Sequence, residues 1–438
     1  MNSKQKQLVS STEMWAAMFI YITADAMTAP IGGQAGNMSW LAILIAIVVS
    51  LGITWVYTQL ADKNSGKSIT GIAEGLLGKW FGKVIAFIYG WFSLELSSYN
   101  LKNNWQMTSV VALPNTPIII IAILVMIFVI WIAYGGIETI GRLSIIYIPV
   151  LVGFLGIAFL LLSRDFNIKN FLPVIEVDWR KIFYASFQIT TLPLMLSIVF
   201  AMIFPSINKK GNVKKPAIYA ILAGGMLIFF SDVLYVLVLG PLVPNLTYPG
   251  YTAFSYIEAA DFLDRAEIVL YSLFISISII EISISLYVAA LCFSDLFGLK
   301  NYRILLIPLG FLTLEQSLFI VRNHSDHINL AAYSWPWYAI IFQFLIPLFM
   351  LIVSAFKRGK EPSSGTNSNA NTSNPDGNLN ANSNANSNAN SNSDANSDAN
   401  SKEDSNSKQN TAADTKQSAN KNVNTNVSRN EPETEGGS

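Results

Sequence analysis

The chain has 438 residues, of which 52% are hydrophobic and 13% charged, with 28 Lys/Arg balancing 28 Asp/Glu. That composition excludes a water-soluble globular domain, and the balance gives no electrostatic case for a nucleic-acid partner. A single cysteine, Cys292, excludes an internal disulfide and a cysteine metal site.

In chain order, apolar runs predict spans at 12–31, 38–60, 81–110, 117–134, 143–163, 181–205, 215–240, 265–293, 302–321 and 334–356, about ten transmembrane helices. Runs such as LAILIAIVVSLGITWVY from Leu41 and IIIIAILVMIFVIWIAY from Ile118 are long enough to cross about 30 Å of hydrocarbon at 1.5 Å per residue. An even count leaves both termini on one side of the membrane. Placing the N-terminus in the cytoplasm puts about 16 Lys/Arg inside and about 6 outside. The loop at 164–181, with Arg164, Lys169, Arg180 and Lys181, runs against that trend. Residues 1–360 therefore form a transmembrane domain. From Glu361 the composition turns to Asn, Ser and Ala with a repeated NANS unit, which predicts a disordered cytoplasmic tail over 361–438.

The first span contains TADAMTAPIGGQ at residues 23–34, with an aspartate, a proline and two glycines where lipid favours an unbroken apolar helix. Exposed peptide groups cost several kcal/mol each in hydrocarbon, so a break of this kind survives only against protein or a water-filled cavity. Transporters built from inverted repeats carry such breaks in pairs. The sixth span supplies a partner, because Thr191-Leu192-Pro193 echoes Thr28-Ala29-Pro30. The third and eighth spans also echo one another, each setting a carboxylate and a serine pair at midspan: Glu95 with Ser97 and Ser98, Glu281 with Ser283 and Ser285. The expected architecture is all-α and polytopic, a five-plus-five inverted repeat broken at Pro30 and Pro193.

Further stretches carry a family resemblance. They are Leu113-Pro114-Asn115-Thr116-Pro117, Gly136-Ile137-Glu138-Thr139-Ile140-Gly141-Arg142, Asn170-Phe171-Leu172-Pro173-Val174, VFAMIFP from Val199 to Pro205, Arg265-Ala266-Glu267, and Trp335 with Pro347. In this order, over residues 10–358, they resemble the endospore germination permeases, the B subunits of nutrient germinant receptors within the amino acid/polyamine/organocation transporter superfamily. The resemblance implies a LeuT-like fold in the spore inner membrane and a small nutrient germinant such as an amino acid or sugar as ligand. It also implies a complex with a larger A subunit and a C lipoprotein, and no cofactor. Where that family's pattern reads Phe-Gly-Glu after the sixth-span proline, this chain has Leu194-Met195-Leu196. The alternative is a secondary transporter of amino acids or amines. An enzyme is disfavoured, because G-x-S-x-G, H-E-x-x-H and Walker A patterns are all missing from the sequence.

The expected ligand-binding residues are Thr23, Asp25, Thr28, Gly32, Gly33, Glu95, Ser98, Thr190, Thr191 and Glu281. A charge inside a span costs about 2.5–3.5 kcal/mol or more, so Asp25, Glu95, Glu281 and also Asp232 face ligand, ion or an interior partner. The threonines have an everyday use as well, bonding the carbonyls of their own helix. His324 and His327 read as an ordinary surface loop, with no third metal ligand nearby.

Overall fold

The structure, a computed structural model, describes residues 8–24, 32–64, 66–171, 178–208, 213–255, 266–320, 326 and 329–358. Asp25, Thr28, Pro30, His324, His327 and the tail lie outside the described residues.

Ten helical stretches fall where the apolar runs predict them. The first half contains α1 (Ser11–Thr23), α2 (Ser39–Lys63), α4 (Lys79–Val111), α5 (Ile118–Gly135) and α6 (Ile137–Leu162). The second contains α7 (Trp179–Thr191) with the 3-10 stretch Leu194–Met202, then α8 (Lys214–Leu239), α10 (Ala266–Phe297) and α11 (Arg303–Phe319). It ends on a tenth span built from α12 (Trp335–Ile340) and α13 (Ile346–Arg358), each preceded by a π-helical turn. Seven of these are long and apolar enough to cross a membrane on length and composition alone. The other three have plain reasons to fall short. The described part of α1 stops near Ala24, α4 carries Lys79, Lys83, Glu95 and Lys102, and α11 has 17 residues. Two short helices that the apolar pattern does not predict, α3 (Ile69–Leu77) and α9 (Pro249–Phe254), lie between spans. Neither is long enough to register as a periodic apolar segment.

The packing has the twofold pattern of an internal repeat. α1 packs on α8 while α2 packs on α7; α4 packs on α11 while α10 packs on α5; α3 packs on α4 while α9 packs on α10. α2 with α8, α4 with α10 and α5 with α11 are each paired with their own counterpart. Exchanging each first-half element for the one five spans later reproduces the set. An odd number of spans per half turns the second half upside down relative to the first.

Burial locates the centre. Every residue from Ala16 to Ala24 is buried, and 78% of the most apolar window in Trp179–Met202 is buried against 17% for Ile137–Asp165. The first and sixth spans are therefore the axis, and α6 is a lipid-facing wall. At the N-terminal end the axis is tied off by a one-residue bridge: Val9 N–H donates to Ser206 O at 2.9 Å and Asn208 N–H to Val9 O at 3.0 Å. Lys214 of α8 pairs with Asp62 of α2 at 2.9 Å.

Candidate functional site

The sixth span breaks where the sequence places the break. α7 ends at Thr191, Leu192 is extended (φ −147°, ψ 108°), the Leu192–Pro193 peptide is cis, and the chain resumes as a 3-10 helix at Leu194. Pro193 has no N–H to return to the helix. The Thr191 carbonyl, left without a helical partner by the end of α7, accepts from Gln343 Nε2 of the tenth span at 2.9 Å.

On the facing side, Gly32 adopts a left-handed conformation (φ 79°) and opens the 3-10 turn Gly33–Met38. A Cβ at Gly32 would lie 3.2 Å from Ile189 Cδ1, two residues before Thr191. The turn that opens at Gly32 therefore touches α7 close to the sixth-span break. The turn leads into Ser39, whose hydroxyl donates to the buried Asp232 carboxylate at 2.6 Å and fixes α2 to α8.

Two prolines of the tenth span explain how it grips this centre. Proline removes the donor to the carbonyl four residues earlier. Pro336 leaves the Ala332 carbonyl, which accepts from the Tyr184 hydroxyl at 3.1 Å and from Gln188 Nε2, both of α7. Pro347 leaves the Gln343 carbonyl, which accepts from the Tyr57 hydroxyl of α2. The Tyr89 hydroxyl of α4 donates to the Phe342 carbonyl at 2.8 Å. Side chains from three elements thus take up backbone acceptors that would otherwise be costly inside a membrane.

The expected site residues divide. Thr23, Thr190 and Thr191 are buried and donate to carbonyls of their own helices, Phe19 O (2.9 Å), Ser186 O (2.7 Å) and Phe187 O (3.0 Å), leaving their oxygens as acceptors. Glu95 is half-buried and accepts from the Tyr338 hydroxyl at 2.5 Å, so it is linked through the tenth span to Gln343 and the sixth-span break. Ser98 turns elsewhere, its hydroxyl within 2.9 Å of Leu94 O and 2.8 Å of Gln316 Oε1 of α11. Glu281 is buried in α10; the Ser285 hydroxyl, which lies 3.2 Å from Glu281 O, pairs with the Tyr21 hydroxyl of α1 at 2.8 Å. Tyr21 also meets Phe200 edge to face at 5.6 Å, which joins α1, the 3-10 stretch and α10. Leu194, Met195 and Leu196 are buried apolar residues.

Sequence reasoning missed Gln343 and two asparagines. Asn100 and Asn104 are buried in α4, and neither the oxygen nor the nitrogen of either amide has a partner among the described residues. With Ser97 they share one helix face by their spacing, and the Ser97 hydroxyl reaches Ile282 O of α10 at 3.5 Å. The signal was present in SSYNLKNNWQ, a polar run inside a span, and in the lone amide of IIFQFLIP. Among the described residues no three His, Cys, Asp or Glu side chains could hold a metal ion.

Comparison with known proteins places this geometry. Over 81% of this chain, the structure of MhsT in complex with L-phenylalanine superposes with a TM-score of 0.57 at 15% identity, covering 90% of that chain. Mhp1, a nucleobase-cation-symport-1 family transporter in a closed conformation with bromovinylhydantoin bound, does so with 0.55 at 12% identity, covering 81% and 93% of the two chains. Both support the LeuT-like fold. Spore germination protein KB of Bacillus subtilis is 25% identical over 365 residues, 82% of this chain and 98% of its own length. Spore germination protein A2 of the same organism is 24% identical over 73% of this chain and 87% of its own. Residues 9–325 match the family model described as spore germination protein. The chain is therefore a multi-pass integral membrane protein belonging to the spore germination protein family, the B-subunit permease family that its sequence resembles.

Proposed function

We propose that this chain senses a small polar nutrient germinant seated between the broken first and sixth spans, with α4 and α10 as the flanking walls. The observation that carries this reading is the meeting of two irregular stretches: a left-handed Gly32 against Ile189, and a Thr191 carbonyl held by Gln343 at the sixth-span break. The unpartnered amides of Asn100 and Asn104 support it, since each buried unpaired group costs about 1–3 kcal/mol and is retained where it serves a purpose. Amides offer both donor and acceptor, which suits an amino acid or a similar nutrient. Asp25, Thr28 and Gly33 belong to the same stretch and complete the proposed ligand set. The MhsT structure, similar in fold, holds L-phenylalanine. Both termini are cytoplasmic, the membrane is the spore inner membrane, and the chain works beside a larger A subunit and a C lipoprotein. The segment 361–438 is a solvated tail.

Spores lacking only this chain, challenged with a panel of nutrients, lose the response to one class and keep the others. An unchanged response to every nutrient refutes the reading. The likeness to two solved transporters favours a second reading, secondary transport of the same ligand. Concentrative uptake of that nutrient into vesicles containing the chain alone is its test.

A further inference from the structure

Where α3 meets α4 and α10, a cavity of about 340 Å³ is lined by Thr70 and Glu74 of α3, Lys79 and Lys83 of α4, Asp295 of α10 and Lys300 just beyond it. The three lysines make no ion pair among the described residues. The lining also holds two carboxylates, Asp295 and Glu74, fewer than its three lysines. Thr70 donates to Asp295 Oδ2 at 2.7 Å, and Glu74 packs by its Cα and Cβ against Gly82, where an added Cβ would lie 2.8 Å from Glu74 Cβ. α4, 33 residues long, begins at the same end behind Gly78 (φ 94°) with no side-chain cap, so its positive dipole end adds to the lysines.

A row of aromatic rings runs from beside the cavity toward the membrane interior. Phe87 stands about 12 Å along α4 from Lys79. It meets Phe293 edge to face at 6.3 Å, and Phe293 stacks on Phe297 at 6.3 Å. Phe87 is 51% and Phe297 63% exposed, on a surface that faces lipid. Trp80, 74% exposed beside Lys79, has the place of an interfacial anchor and sets the lysines at headgroup depth. A cationic cavity beside a row of exposed aromatic rings fits an amphiphile.

We propose that this groove binds an anionic phospholipid of the leaflet on the N-terminal side, with its phosphate among Lys79, Lys83 and Lys300 and an acyl chain along Phe87, Phe293 and Phe297. A free phosphate would use the lysines and leave the rings unused. The inference does not depend on the germinant reading or on which face is cytoplasmic.

The full chain purified in detergent is titrated with phosphatidylglycerol, phosphatidylcholine or inorganic phosphate, and its thermal unfolding midpoint is followed. Phosphatidylglycerol raises the midpoint saturably; phosphatidylcholine and millimolar phosphate do not. Replacing lysines by glutamine (K79Q, K83Q, K300Q) weakens the phosphatidylglycerol effect about fivefold for each one removed. Phe87→Ala with Phe297→Ala weakens it as well, whereas Lys300→Arg retains it. An equal rise with phosphatidylcholine, a rise reproduced by inorganic phosphate alone, or an undiminished effect in the triple glutamine variant each overturns the proposal. The three-ligand comparison on the unsubstituted chain supports or overturns the site by itself, even if a variant fails to accumulate.

Discussion

Replacing Gln343 by methionine keeps the length of the side chain and deletes the donor to the Thr191 carbonyl. Both residues are 1% exposed and the bond is 2.9 Å long, so no solvent can take its place. An unpaired buried carbonyl costs about 1–3 kcal/mol; the loss is offset in part because Gln343 Oε1, itself without a partner among the described residues, is removed too. A net penalty of about 1–2 kcal/mol falls on the arrangement of the sixth-span break that receives ligand. The nutrient concentration for half response should rise by about 5- to 30-fold as the competent fraction falls. The assay is loss of spore absorbance against nutrient concentration, with the membrane level of the chain measured by immunoblot. Val48→Ala, at a position 69% exposed to lipid, is the control and should change neither. A methionine variant within twofold of wild type at normal abundance would refute the reasoning. So would a variant that vanishes from the membrane, because the contact would then be purely structural.

Gly32→Ala forces a side chain into φ 79°, at about 1–2 kcal/mol, and should raise the half-response concentration at least about fivefold with normal membrane levels. Asp25→Leu and Gly33→Leu should each raise it at least about tenfold. In a Cys292→Ala background, Asn115→Cys should be labelled by an impermeant thiol reagent only from outside, and Asn64→Cys and Asn301→Cys only from the cytoplasm; reversed labelling would sink the orientation. Truncation after Lys360 should leave insertion and response intact, and a dead truncation would give the repeat a role beyond that of a spacer.

Seven of the ten stretches are legible in the sequence because hydrocarbon demands long apolar runs, and the break at Pro193 because a proline has no donor to give its helix. The repeat is legible from the echo of Thr28-Ala29-Pro30 in Thr191-Leu192-Pro193, since two such sequences at equivalent places in apolar runs are rare. What takes up the freed carbonyls is not. Pro347 announces that the Gln343 carbonyl loses a partner, but only the fold brings Tyr57 to it. Gln343 itself reads as one amide in an apolar run until Thr191 appears opposite. Ser98 and Glu95 lie one turn apart on α4 and part company because Gln316 and Tyr338 come from different helices. Asn100 and Asn104 carry the same lesson: their polarity is visible in the sequence, and their lack of partners among the described residues is a tertiary fact.

The most direct test is equilibrium binding to the purified chain of the nutrient that spores lacking it ignore. Saturable binding by the unsubstituted chain, weakened at least about tenfold by Gly33→Leu and unchanged by Val48→Ala, is the expected result. Absence of binding to a folded chain, or binding that Gly33→Leu leaves intact, would contradict a germinant site between the broken spans.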